Sequence, residues 1–122
     1  MESAYCILFY TTIHGDRPAQ EFLVNLPDKI KGKSLRWIQK LEQEGPDLPR
    51  PYADIVRGKI RELRISFASQ QCRFLYFFYN KYIILTHSFI KKTDKIPENE
   101  IERAHRFMCD FEERVKRGEI EL

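Results

Sequence analysis

The chain of 122 residues has only three cysteines, Cys6, Cys72 and Cys109, and they lie far apart. An odd number at such spacings does not suggest a disulfide framework and gives no metal-ligand pattern. Histidine is as scarce. His14 falls in an expected loop and His105 on an expected helix, and neither is read with a carboxylate or cysteine at metal-ligand spacing, so no metal site is expected. The five glycines build no phosphate-cradling loop, and no serine elbow is present. No apolar run reaches the roughly 18 residues that span a bilayer, which argues against an integral membrane protein. The first residues, Met1-Glu2-Ser3-Ala4-Tyr5, show no basic stretch ahead of an apolar one. No secretory signal is read there, and the cytoplasm is the expected location.

What is present is a hydrophobic content of 43%, too high for a disordered chain. The length suits one domain over residues 1–122, with a radius of gyration of about 14 Å. The net charge of +3 conceals an uneven distribution. Residues 57–95 hold nine lysines and arginines against two acids, Glu62 and Asp94, a local charge of +7, while the remainder carries −4. Such a concentration is either a polyanion footprint or a solvated basic surface.

Residues 5–12 are aromatic and β-branched and read as a strand. Gly15, Asp16 and Pro18 mark a turn into a helix over residues 17–26, which Pro27-Asp28 interrupts. A second helix is expected over residues 29–44, with Leu35, Ile38 and Leu41 as its apolar stripe and Gly45-Pro46 as its stop. Residues 46–51 read as a stiff connection. Three strands follow, over residues 60–67, 72–79 and 82–90, with turns at 68–71 and 80–81, as in an antiparallel meander. Pro97, Glu98 and Glu100 open a last helix whose apolar side carries Ile101, Ala104, Phe107, Met108, Phe111 and Val115. The expected architecture is α+β: a small antiparallel sheet in the order strand-helix-helix-strand-strand-strand-helix, helices packed on one face and basic residues lining the other.

Alternation along the strand puts Glu62, Arg64 and Ser66 on one face and Leu63, Ile65 and Phe67 on the core face. A turn centred on Ala68-Ser69 sets Arg64 directly opposite Arg73. Like charges in direct opposition repel, and a shared phosphate relieves them. An odd-length turn breaks the pairing, and pairing of Arg64 with Glu62 or another acid, with Arg73 at a solvated edge, is the structural alternative. Residues 73–79 are almost wholly apolar after the arginine, as in a central strand. Tyr76 is singled out there as a phenol able to stack on a base or position a phosphate. His87 is a candidate general acid or base, with a structural imidazole as its alternative. Lys91 and Lys92 are candidate electrostatic groups, or else a solvated pair.

These runs resemble a known family. Gly58 to Ile65 is similar to the G-x-x-x-E-L-R element of HigB-type, phage-derived toxins of the RelE/ParE superfamily. Residues 73–77 resemble their R-x-x-Y-F strand, residues 87–93 their h-x-F-x-K-K-T signature, and Pro97 through Ala104 the helix start that follows. The resemblance runs from about residue 58 to residue 111, while the first half fits by element order alone. Ile96 departs from the threonine often found there, and Lys59-Ile60-Arg61 is more basic than usual.

The resemblance implies a RelE-like fold and the toxin of a toxin–antitoxin pair, an endoribonuclease that cuts mRNA in the ribosomal A site without metal or organic cofactor. It implies attack of the RNA 2′-hydroxyl on phosphorus. Arg64, Arg73, Lys91 and Lys92 would hold the phosphate and its transition state, and Tyr76 and His87 would position groups or move protons. It also implies a cognate antitoxin, often a helix-turn-helix protein. Two alternatives stand beside this reading: a ParE-like gyrase inhibitor without nuclease activity, and an inactive RNA-binding relative.

Overall fold

The computed structural model describes residues 4–122. The expectation drawn from Met1, Glu2 and Ser3 lies outside the described residues. The elements run β1 (Cys6–Phe9), α1 (Pro18–Val24), α2 (Asp28–Glu44), a 3-10 turn (Gly45–Asp47), β2 (Ala53–Arg57), β3 (Ile60–Phe67), β4 (Gln70–Tyr79), β5 (Tyr82–Ile90) and α3 (Glu98–Lys116). They form the expected α+β fold with three helices. No described helix is long and apolar enough to cross a membrane.

The sheet has five strands in the order β1-β5-β4-β3-β2. The antiparallel meander β3-β4-β5 lies at its centre, as the two short turns require. Two features correct the expected sheet. β1 pairs with β5 in parallel, Cys6 beside Tyr82 and Phe9 beside Leu85, so the sheet is mixed. β2, which falls between the connection read at residues 46–51 and the strand expected from residue 60, is a five-residue edge strand paired antiparallel to β3, with a register shift between Ile55 and Arg57. Its shortness and irregularity left little alternation to read.

The helices are not on one face. α1 and α2 cover the side that carries Leu63, Ile65, Phe74, Tyr76, Ile83 and Leu85. α3 covers the other, where Ala104, Met108 and Phe111 pack on Ile60, Leu75, Phe77 and Ile84. The reason is in β4: Phe74, Leu75, Tyr76 and Phe77 are all buried, so the strand has apolar side chains on both faces and each needs a cover. Burying each such side chain is worth roughly 1.5–3 kcal/mol.

In α2 the buried line is Ile30, Ser34, Ile38 and Leu41. Leu35, expected in that stripe, is 50% exposed, because Ser34 takes the inward position. Gly45 closes α2 with φ +57, and a Cβ there would lie 2.5 Å from the Tyr5 ring. The tyrosine therefore occupies space that only glycine leaves open.

Candidate functional site

The antiparallel register places Arg64 directly opposite Arg73, with Ser66 opposite Gln71 one pair further toward the Ala68-Ser69 turn on the same face. Both arginines sit on the α3 side, nearer the turn than Leu75 and Phe77. Acids separate them. Glu62 lies between the two, its Oε1 2.9 Å from Arg73 Nε and 3.3 Å from Arg64 Nε. Arg64 also reaches Asp54 at 3.4 Å, and Asp54 meets Arg50 at 3.0 Å. The result is a chain of alternating charge, Arg50–Asp54–Arg64–Glu62–Arg73, with one positive charge in excess.

The structural alternative for Arg64, a carboxylate partner, thus holds. Arg73 is not at a solvated edge: its side chain is 8% exposed on the central strand. Its Nη1 donates to the Cys72 carbonyl at 3.1 Å. Its Nε and that of Arg64 are buried without an aligned hydrogen bond, so the Arg73 contact with Glu62 is Coulombic rather than directional, whereas Arg64 donates through Nη2 to Glu62 Oε2 at 3.3 Å. Burial pulls the Arg73 pKa below its ordinary value, with Arg64 adding to the effect and Glu62 opposing it. A guanidinium stays protonated even so. The Asp54 carboxyl is held below the usual range, first by the Ile55 N–H it accepts and then by Arg50 and Arg64.

Arg64 and Arg73 open on a cavity of about 280 Å³ at the end of the hairpin, with Ser66 and Gln71 in its wall. Lys33 and Trp37 of α2 and Tyr52 before β2 complete it. Lys33 Nζ donates to the Ser66 carbonyl, and Trp37 stacks on Tyr52. A larger hollow of about 630 Å³ runs along β1. Its Arg114 is committed to Asp110 and the Thr11 carbonyl, so we place the candidate site at the smaller cavity, where the cations converge.

The family model of the phage-derived Gp49-like proteins (DUF891) matches residues 21–108, nearly three-quarters of the chain. The chain belongs to this family. The Gp49-like proteins are a toxin-like family. No curated protein matches the chain. The Gp49-like span begins in α1, well before the run of motifs that starts near Gly58, and so includes Lys33, Trp37 and Tyr52 as well as both arginines.

The Gp49-like chain brings together only part of the expected set. Lys91 follows β5, and its N–H donates to the Gln71 carbonyl at 2.7 Å, which keeps the Lys91-Lys92 pair beside the cavity wall. Tyr76 is not with the arginines. It points to the α1/α2 side among Phe74 and Leu85, 1% exposed, and burial pushes its pKa up to about 12. His87 shares the arginines' face but lies beneath α3, 1% exposed, against Phe89 and Phe107. Burial, with Arg103 and Arg106 adding, pulls its pKa down to about 3. Glu100 is 3.3 Å from His87 Nε2 without an aligned hydrogen bond, so it does not offset the burial. His87 is thus a buried imidazole packed beneath α3 and outside the cavity lining.

The nine cations of residues 57–95 do not share a face either. Arg57 pairs with Glu98, Lys59 lies 3.7 Å from Glu112, and Arg61 sits over the Phe78 ring on the α1/α2 side. On α3, His105 and Cys109 approach to 3.6 Å, an i,i+4 pair that the sequence reading overlooked. Among the described residues no group of three His, Cys, Asp or Glu could hold a metal ion. Sequence reasoning also missed Lys33, Trp37, Tyr52 and the neutralising role of Asp54. Trp37 is the sole tryptophan, the one signal that could have marked it.

Proposed function

We propose that the protein is the toxin of a toxin–antitoxin pair, related to the HigB-type branch of the RelE superfamily, and that it cleaves mRNA in the ribosomal A site. The observation that carries this reading is the cross-strand arginine pair, with Arg73 almost wholly buried at the wall of a cavity. The two guanidiniums share Glu62 within a chain that keeps one positive charge in excess, and a bound phosphodiester supplies the missing counter-charge.

In the proposed reaction the 2′-oxygen forms a bond to phosphorus and the bond to the 5′-oxygen breaks. The products are a 2′,3′-cyclic phosphate and a 5′-hydroxyl. The 2′-hydroxyl loses its proton and the leaving oxygen gains one. The residues at the cavity act on the charge between these events. Arg64 and Arg73 stabilise the phosphorane oxygens, with Lys91 and Lys92 drawing the RNA backbone to the site. Removing one such donor typically costs 10²–10³ in rate. Tyr76 and His87 are both 1% exposed and outside the cavity lining, so neither is assigned a proton transfer.

The carboxylates beside both arginines favour a second reading, in which the cluster binds without cleaving: a gyrase inhibitor or an inactive RNA-binding relative. A partner follows from either reading, since the exposed Lys92 and partly exposed Lys91 suit an acidic segment of an antitoxin. The test is inducible expression in bacteria, with mapping of new 5′ ends on cellular mRNA. New ends within translated regions, lost in Arg64→Ala and Arg73→Lys variants that keep their circular dichroism, support the nuclease. Growth arrest with intact mRNA and supercoiling-defective DNA overturns it in favour of gyrase.

A further inference from the structure

We propose that Trp37 and Tyr52 form a base-stacking platform, so that the cavity holds single-stranded RNA by a nucleobase as well as by a phosphate. This rests on the RNA reading of the arginine site and adds a recognition element from the other half of the chain. The two rings stack with centroids 4.3 Å apart and planes 22° apart. Trp37 is half-buried and packed against the α1/α2 core, while Tyr52 is 41% exposed. One ring is thus anchored in the fold and the other offers a π-surface to solvent.

The chemistry around them is specific. The same cavity is walled by Lys33, Arg64 and Arg73, and the alternating ion-pair chain leaves one positive charge uncompensated. Lys33 is fixed at the rim by the Ser66 carbonyl. Arg73 Nε is buried without an aligned partner. A plain phosphate site has no use for a half-exposed aromatic stack, and a core aromatic pair has no use for three cations. A cationic wall joined to an open aromatic face is the arrangement that binds single strands, the backbone by charge and the base by stacking. Stacking is tolerant of base identity, so the platform adds affinity and register rather than strict sequence choice.

Trp37 is the only tryptophan, so its fluorescence reports on the platform alone. The full chain is titrated at low salt with a short oligoribonucleotide and with an abasic ribose-phosphate oligomer of equal length. The base-bearing oligomer is expected to quench Trp37 and to bind at least about fivefold more tightly, the loss expected for one missing base stack. Tyr52→Ala, at an exposed position, is expected to remove that difference while leaving the abasic affinity unchanged. Equal binding of both oligomers with unchanged fluorescence overturns the platform and leaves the phosphate reading standing. Binding of neither overturns the RNA reading of the cavity, platform included.

Discussion

Glu62 is the residue on which the charge cluster turns, and Glu62→Gln tests it directly. In the folded chain its carboxylate lies within 3.3 Å of two guanidiniums, and its own side chain and that of Arg73 are both 8% exposed. Removing the negative charge leaves Arg73 with the Cys72 carbonyl as its remaining partner and with Arg64 directly opposite. Breaking a buried pair by deleting one partner costs about 3–5 kcal/mol. Arg64 keeps Asp54 and some solvent, which points to the lower end of that range. For a domain of this size each kcal/mol moves Tm by roughly 4 °C, so a fall of about 12 °C or more is expected. The double variant Glu62→Leu/Arg73→Met removes both charges at similar volume and is expected to recover most of the loss, since apolar replacement of a buried pair is often neutral or stabilising. Urea unfolding followed by Trp37 fluorescence and by circular dichroism gives both numbers, with an unchanged m-value showing that stability alone has shifted. A single variant that loses less than about 1 kcal/mol, or a double variant no better than the single, refutes the reasoning.

Two further outcomes follow from the structure. His87 has a folded pKa of about 3 against an unfolded value of 6.5, so its contribution is intact above pH 6.5 and is lost as pH falls toward 3. The loss runs at roughly 1.4 kcal/mol per pH unit, because only the unfolded chain takes up the proton. The stability of the unmutated chain relative to His87→Gln should therefore drop by roughly 2–3 kcal/mol between about pH 6.5 and pH 4.5 in urea titrations, and a constant difference would show that the imidazole protonates in place. Gly45→Ala is expected to lower stability by about 1–3 kcal/mol in thermal melts, because φ is +57 and the new Cβ meets the Tyr5 ring at 2.5 Å. An unchanged Tm would mean that Tyr5 swings aside freely.

The central meander was legible because a strand has period two and its turns are short. Those two facts fix the opposition of Arg64 and Arg73 and the core face of β3. The same alternation places Tyr76 on the face opposite Arg73, so its separation from the arginines was legible as well, and proximity in sequence misled. The burial of His87 was not. It depends on α3 crossing the sheet on the arginine side, and a helix stripe shows that a helix is buried without showing against which face. The rest of the site comes from distant segments. Lys33 and Trp37 lie on α2 and Tyr52 ahead of a strand only five residues long, and the packing of α2 on the sheet brings them to the hairpin.

The parallel pairing of β1 with β5 also sets an order of events. Cys6 finds its partner at Tyr82, so the first strand made is among the last to be seated. α1 and α2 bury their apolar sides against strands that lie beyond residue 59, and Arg73 arrives only with β4. A chain emerging from the ribosome therefore carries unpaired helices and a lone strand until the meander strands have been synthesised. Until β4 joins β3 the two arginines have no fixed separation and the cavity has no wall. The cavity's lining, which runs from Lys33 to Arg73, is therefore complete only once β4 is in place.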